Sequence, residues 1–251
     1  MNTSLYDRWF TALAFLTRIP VREADATPEA IGRSTSLFPL VGAALGVVNL
    51  LVLWIVRRLL PSTLTATVMA LTGILLTGAL HFDGLADMAD GFGGGRTRDD
   101  VLRIMRDHHI GTYGAIALVL TLLLQVVAIA SLIERDVAGP VVVIAPTVSR
   151  WAMVVLAWRL PYARPEEAGL GRALTDHVRD RDVWGSTSLV LVIAVVVAGW
   201  SGIVSLGVTA MLTAGLGLVC WRRIGGLTGD TLGADAVLCE TIVYIAAIVS
   251  S

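Results

Sequence analysis

Seven apolar stretches recur along this chain, at about residues 37–56, 64–80, 115–133, 137–156, 188–199, 203–221 and 232–249, and they fix the fold class before anything else does. In lipid every backbone N–H and C=O must be paired within its own segment, which leaves helices as the only open-ended solution. The expectation is all-α: a polytopic membrane helical bundle of about seven transmembrane helices, forming one domain over 1–251. A mean hydropathy of +0.76 and an apolar fraction of 55% exclude a water-soluble surface. The fifth stretch is short, so its limits are the least defined.

Residues 1–36 read as an interfacial segment. An amphipathic helix over about 4–17 sets Trp9, Phe10, Leu13 and Leu16 toward lipid or protein, and a polar linker, Val21 to Ser36, follows. A cleaved leader fits poorly, because Arg18 and Pro20 interrupt the apolar run and Asp7 offsets Arg8. Cys220 and Cys239 lie in apolar segments without a partner motif, so neither a disulfide nor a zinc site is expected. All 19 basic residues are arginine, and their placement is uneven. With the N-terminus inside, 15 arginines fall on that side and only Arg57, Arg58 and Arg135 on the other. The positive-inside bias places the N-terminus in the cytoplasm. A net charge of −1 says little about partners, and no nucleic acid is expected among them.

The second stretch runs into His81-Phe-Asp-Gly-Leu-Ala-Asp-Met-Ala-Asp-Gly91. On a continuous helix Asp83, Asp87 and Asp90 fall within an arc of roughly 60°, so the three carboxylates share a site or repel one another. The helix macrodipole disfavours acids at a C-terminal end, which is where this reading puts them. A divalent cation would offset the charge. All-oxygen ligands favour a hard ion, and a few carboxylates suit Mg²⁺ shared with phosphate oxygens. A metal or catalytic role is therefore preferred over helix termination, with the cytoplasmic-facing active-site segment spanning 81–114.

Past the flexible Phe92-Gly-Gly-Gly95, Thr97 resembles a helix N-cap and Asp99 and Arg103, four apart, an exposed pair. Arg103, Arg106, Asp107, His108 and His109 then crowd toward Gly111-Thr-Tyr-Gly114. Two glycines at a helix start let backbone amides approach a phosphate closely. Arg150, inside the fourth stretch, should face a carboxylate or an anionic ligand. The polar loop 159–185, with Glu166 and Glu167, is longer than a turn requires and reads equally as a lid or a solvated connector. A second glycine-rich run, 225–233, opens the last stretch, where Asp230 and Glu240 lie about 80° apart and both can face the interior. One buried pair would account for Glu240 equally well.

Taken together, Phe15-Leu-Thr-Arg-Ile-Pro20, the His81 to Gly91 cluster, Met105-Arg-Asp-His-His-Ile-Gly-Thr-Tyr-Gly114 and Gly226-Leu-Thr-Gly-Asp-Thr-Leu-Gly-Ala234 with Glu240 resemble the cobalamin synthase (adenosylcobinamide-GDP ribazoletransferase) family. The resemblance covers nearly the whole chain. It implies a bacterial-type inner-membrane enzyme that transfers the cobinamide phosphate of adenosylcobinamide-GDP to α-ribazole or its 5′-phosphate, releasing GMP, with Mg²⁺. On that reading Asp83, Asp87 and Asp90 hold metal, and Asp107 is a fourth ligand or the base on the attacking hydroxyl. Arg103 and Arg106 contact phosphates with the Gly111 and Gly114 amides. His81, His108, Arg18, Thr228, Asp230 and Glu240 belong to the substrate site, and a homo-oligomer stays open. Two alternatives are weaker. A CDP-alcohol phosphotransferase would share Asp87-x-x-Asp90-Gly91 but carry an Ala-Arg that is missing here. A transporter would show broken helices with corresponding acids in two halves.

Overall fold

The computed structural model describes residues 4–21, 27–164 and 170–250, and among these the chain is helical throughout, without a strand. In order the helices are α1 (Leu5–Leu16), α2 (Pro28–Ser34), α3 (Phe38–Val56), α4 (Ser62–Thr77), α5 (Leu80–Gly94), α6 (Arg98–Ile104), α7 (Thr112–Glu134), α8 (Ala138–Arg159), α9 (Leu170–His177), α10 (Asp180–Ile224) and α11 (Gly229–Ser250). A single 3-10 turn, Thr35–Leu37, joins α2 to α3.

Helix α8 is the axis of the bundle. It is buried along nearly its whole length, from Ala138 to Ala157, and α3, α10 and α11 pack around it. Its contact with α3 depends on two glycines. A Cβ on Gly42 would lie 2.1 Å from the Pro146 carbonyl oxygen and one on Gly46 would lie 2.6 Å from Val143 Cα. These two small residues are therefore where the two backbones meet. Arg150 and Glu240, from α8 and α11, form an ion pair inside this core, with Ser149 Oγ donating to the same Glu240 oxygen.

Among the described residues five helices are long and apolar enough to cross a membrane, or six if the bent pair α4 and α5 is counted as one span. The expected seven depends on α10, whose 45 residues merge two helical pieces at Gly199 (φ 55, ψ −127). An unbroken helix of that length would be about 68 Å long, more than twice the hydrocarbon thickness. The chain folds sharply here, since a Cβ on Gly202 would fall 2.2 Å from the Ala194 carbonyl oxygen.

Two connectors carry more structure than the sequence suggested. The linker 21–36 contains α2, nucleated by Thr27, whose hydroxyl accepts from Ala30 N–H, and by Pro28 in the first turn. The loop 159–185 contains α9 and the start of α10, and α9 packs on α2. Glu166 and Glu167 lie outside the described residues. α1 matches its expected span. Ser4 and Asp7 close a capping box, and Leu16 is buried while Trp9 and Leu13 pack against the same cluster.

Candidate active site

The sequence reading runs the second span straight into the aspartates, but the chain turns by 90° first. α4 ends at Gly78 in the left-handed region (φ 62), and Ala79 follows it there (φ 60). The Ala79 N–H reaches back to the Ile74 carbonyl at 2.9 Å, a Schellman-type ending that only a glycine enters without strain. Arg18 holds the corner. Its N–H donates to the Leu76 carbonyl at 2.7 Å, and its side chain lies where a Cβ on Gly78 would be, 2.4 Å away. So Arg18, expected in the substrate site, serves the bend.

The turn changes the electrostatics of the cluster. Asp83 stands in the first turn of α5, the end at which the macrodipole favours an anion, not at the C-terminal end of a long helix. Along α5 the three acids grade from exposed Asp83 through half-buried Asp87 to buried Asp90. Asp90 is committed. Its Oδ2 accepts the Gly111 N–H at 2.7 Å and its Oδ1 the Gly114 N–H at 2.8 Å. A Cβ on either glycine would come within 2.4 Å of an Asp90 oxygen. The glycines do admit a close anion at the start of α7, but it is the carboxylate of Asp90, which corrects their reading as an open phosphate cradle.

Asp230 joins the acids because Gly84 has no side chain. A Cβ there would lie 2.6 Å from the Asp230 carbonyl oxygen, so the first turn of α11 crosses α5 backbone to backbone. Thr228 caps α11. Its hydroxyl accepts from Thr231 N–H, Thr231 Oγ1 accepts from Thr228 N–H, and Thr228 Oγ1 donates to Asp230 Oδ2 at 3.2 Å. Thr228, fully buried, orients Asp230.

The sequence reading missed Arg164. It lies in the long polar loop, where no periodicity marks any residue, and tertiary contacts bring it in. A one-rung parallel bridge pairs Tyr162 with Leu227, through Ala163 N–H to Leu227 O (2.8 Å) and Leu227 N–H to Pro161 O (2.9 Å). Gly226 allows it, since a Cβ would stand 2.3 Å from the Pro161 oxygen. Arg98 staples the same corner, donating to the carbonyls of Ile224 and Ala163. The Arg164 guanidinium thereby comes to 3.9 Å from Asp230 Oδ2. Asp87 sits in the combined field of Asp230, Asp83 and Asp90, with Arg164 as the opposing charge.

The remaining expected residues lie elsewhere. Arg103 is exposed and pairs with Asp100 (3.5 Å), one helical position away from the expected Asp99. Arg106 and His108 are exposed, and Asp107 accepts from His109, N–H at 3.1 Å and Nδ1 at 2.7 Å. These bonds hold the Asp107 carboxyl below the usual carboxylate range. His81 is buried with both ring nitrogens unpartnered, lining a small chamber of about 50 Å³ with Arg150 and Glu240. Glu240 is ten residues from Asp230, about 15 Å along the helix, and is engaged in the buried pair with Arg150.

Four carboxylates against one guanidinium repel a phosphate unless a cation intervenes. Among the described residues no three His, Cys, Asp or Glu side chains form a metal-holding group by themselves. The donors are all oxygen, as a hard cation shared with phosphate oxygens requires. The molecule is thus a polytopic helical membrane protein with an acidic cluster at one end of its bundle. Residues 8–248 match the family described as cobalamin-5-phosphate synthase, and the chain belongs to that family. It is similar to the adenosylcobinamide-GDP ribazoletransferase of Shewanella oneidensis, at 36% identity over 97% of this chain and 94% of the relative. It is also similar to the protein of that name from Syntrophobacter fumaroxidans, at 38% identity over 97% and 98%. No solved structure matches it.

Proposed function

We propose that the chain joins adenosylcobinamide-GDP to α-ribazole or its 5′-phosphate, forming the corresponding cobalamin and releasing GMP. A hydroxyl of the ribazole attacks the phosphorus bonded to cobinamide, the bond from that phosphorus to the bridging oxygen breaks, and GMP leaves with the electron pair. The observation that carries this reading is the convergence of Asp83, Asp87 and Asp90 on α5 with Asp230 on α11 and Arg164 from the loop after α8. A transporter is disfavoured, since the acids gather beside the bent pair α4 and α5, while the break in α10 at Gly199 has no acid near it in sequence.

Asp83, Asp87 and Asp230 would hold Mg²⁺, which when bound neutralises pyrophosphate oxygens and stabilises charge on the departing phosphate. Asp90 anchors α5 to the start of α7 and so fixes the spacing of the others. Thr228 and Arg164 set the orientation of Asp230, and Arg164 supplies the positive charge nearest the acids. Such transfers depend mainly on positioning and electrostatics and ask little of a base, which suits an Asp107 that is exposed, ionised and already bonded to His109. The site end carries 15 of the arginines, so it opens to the cytoplasm, where the nucleotide substrates reside. The test is purified full-length protein in detergent with adenosylcobinamide-GDP, either form of ribazole, and Mg²⁺ or EDTA. Product and GMP should appear together only with Mg²⁺. Undiminished turnover in EDTA would remove the metal from the account, and no GMP with either acceptor would remove the reaction.

A further inference from the structure

Away from the acids, α8 and the second part of α10 leave a groove between them of about 440 Å³, lined by Trp151, Val155, Leu156 and Leu160 on one side and by Ala214 and Leu218 on the other. Between its ends the wall is apolar. Thr213 reaches it, but the Thr213 hydroxyl is spent inward on Asp235 Oδ2 at 3.3 Å, so its wall presents no unsatisfied hydroxyl. From Trp151 to Leu160 the groove runs nine residues along α8, about 14 Å, close to one leaflet of a hydrocarbon core roughly 30 Å thick. On the α10 side it is lined by Gly217, where a Cβ would meet Leu156 Cδ1 at 3.0 Å and narrow the groove.

One end of this groove is cationic. Arg159 lines it in the last turn of α8, its guanidinium 4.5 Å from the centroid of the Trp158 ring. Arg222 follows the lining residue Trp221 in the last turn of α10 and is exposed. Neither arginine is paired with a carboxylate among the described residues. Exposed tryptophans beside arginines at helix ends are the signature of the headgroup level.

We infer that this groove is a binding site for an anionic phospholipid, one acyl chain lying between α8 and α10 and the phosphate held at Arg159 and Arg222. The length fits a chain from one leaflet, the wall fits hydrocarbon, and the unpaired arginines fit a headgroup with net negative charge better than a zwitterion. The site is independent of the proposed reaction, since none of these residues touches the acidic cluster.

Native mass spectrometry of the full-length protein tests it, with dioleoylphosphatidylglycerol and dioleoylphosphatidylethanolamine, whose chains are identical. Wild type should retain one phosphatidylglycerol with a preference on the order of tenfold, as two interfacial arginines supply. Arg159→Gln with Arg222→Gln should abolish the preference, and the Arg→Lys pair should keep most of it. Ala214→Trp, at an exposed position that fills the groove, should release the retained lipid of either kind while the thermal midpoint stays within a few degrees. Equal retention of both lipids by wild type would overturn the inference. So would a preference unchanged in the Gln pair and in Ala214→Trp, or a lipid-free dimer that covers the groove with a second copy of the chain.

Discussion

Asp87 and Asp90 are three residues apart on one helix, yet the structure gives them different work. Asp90 spends both oxygens on Gly111 and Gly114 N–H groups and is buried, so Asp90→Asn places an amide NH₂ against a backbone N–H and forfeits one bond. A loss of about 1–3 kcal/mol follows. The expected result is a lowered thermal midpoint for Asp90→Asn and an unchanged or raised one for Asp87→Asn, which relieves repulsion from Asp83 and Asp230; equal midpoints would contradict the anchor. Asp107 yields a pH prediction. Its folded-state value is depressed by hydrogen bonds from His109, so its ionised form helps at any pH above the unfolded value near 4 and is lost only as pH falls through the lowered one. It therefore does not titrate near neutrality. Asp107→Asn should slow transfer by less than about tenfold and leave any neutral-pH inflection of the rate in place. A disappearing inflection would restore Asp107 as the base.

At the scale of elements, the site depends on where backbones are allowed to approach. The identity of α5 as an acid-bearing helix and the face shared by its aspartates were legible in sequence, because spacings of four and three have one meaning on a helix. The 90° turn before it was not, since Leu80 and His81 continue the apolar run and only the left-handed Gly78 and Ala79 break it. The glycines of 111–114 were read correctly as sites of close approach and wrongly as to what approaches, because spacing cannot tell a ligand's anion from the protein's own. Arg164 was invisible for a related reason, being placed by a single bridge to Leu227 across 65 residues. Arg150 and Glu240 offer the element-level test. Arg150→Leu strands Glu240 in the core and should cost about 3–5 kcal/mol, whereas Arg150→Leu combined with Glu240→Leu should recover much of it. A double variant no better than the single would show that the pair does not act as a unit.

Across the whole molecule, composition settled the class, and the arginine bias supports the proposed orientation. The structure gathers Arg57, Asp136 and Arg135 at the end of the bundle away from the acids, with Arg57 Nη1 3.0 Å from Asp136 Oδ1 and Arg135 Nη1 donating to the Ile248 carbonyl. Arg58 belongs to that same end by sequence, and Arg150 lies in the core. Both native cysteines are buried, so single cysteines introduced at Arg58 and Arg103 are clean reporters. In intact cells an impermeant maleimide should label position 58 and spare position 103; the reverse pattern would invert the topology and place the acids outside.

The central claim is that the carboxylates of α5, with Asp230, form the place where the pyrophosphate of adenosylcobinamide-GDP is broken. Single-turnover GMP release by wild type and Asp87→Asn, in detergent with excess α-ribazole and Mg²⁺, addresses it most directly. The account predicts stoichiometric GMP from wild type and a rate lower by on the order of 10² to 10³ in a variant that remains folded. Wild-type release rates from folded Asp87→Asn would contradict it.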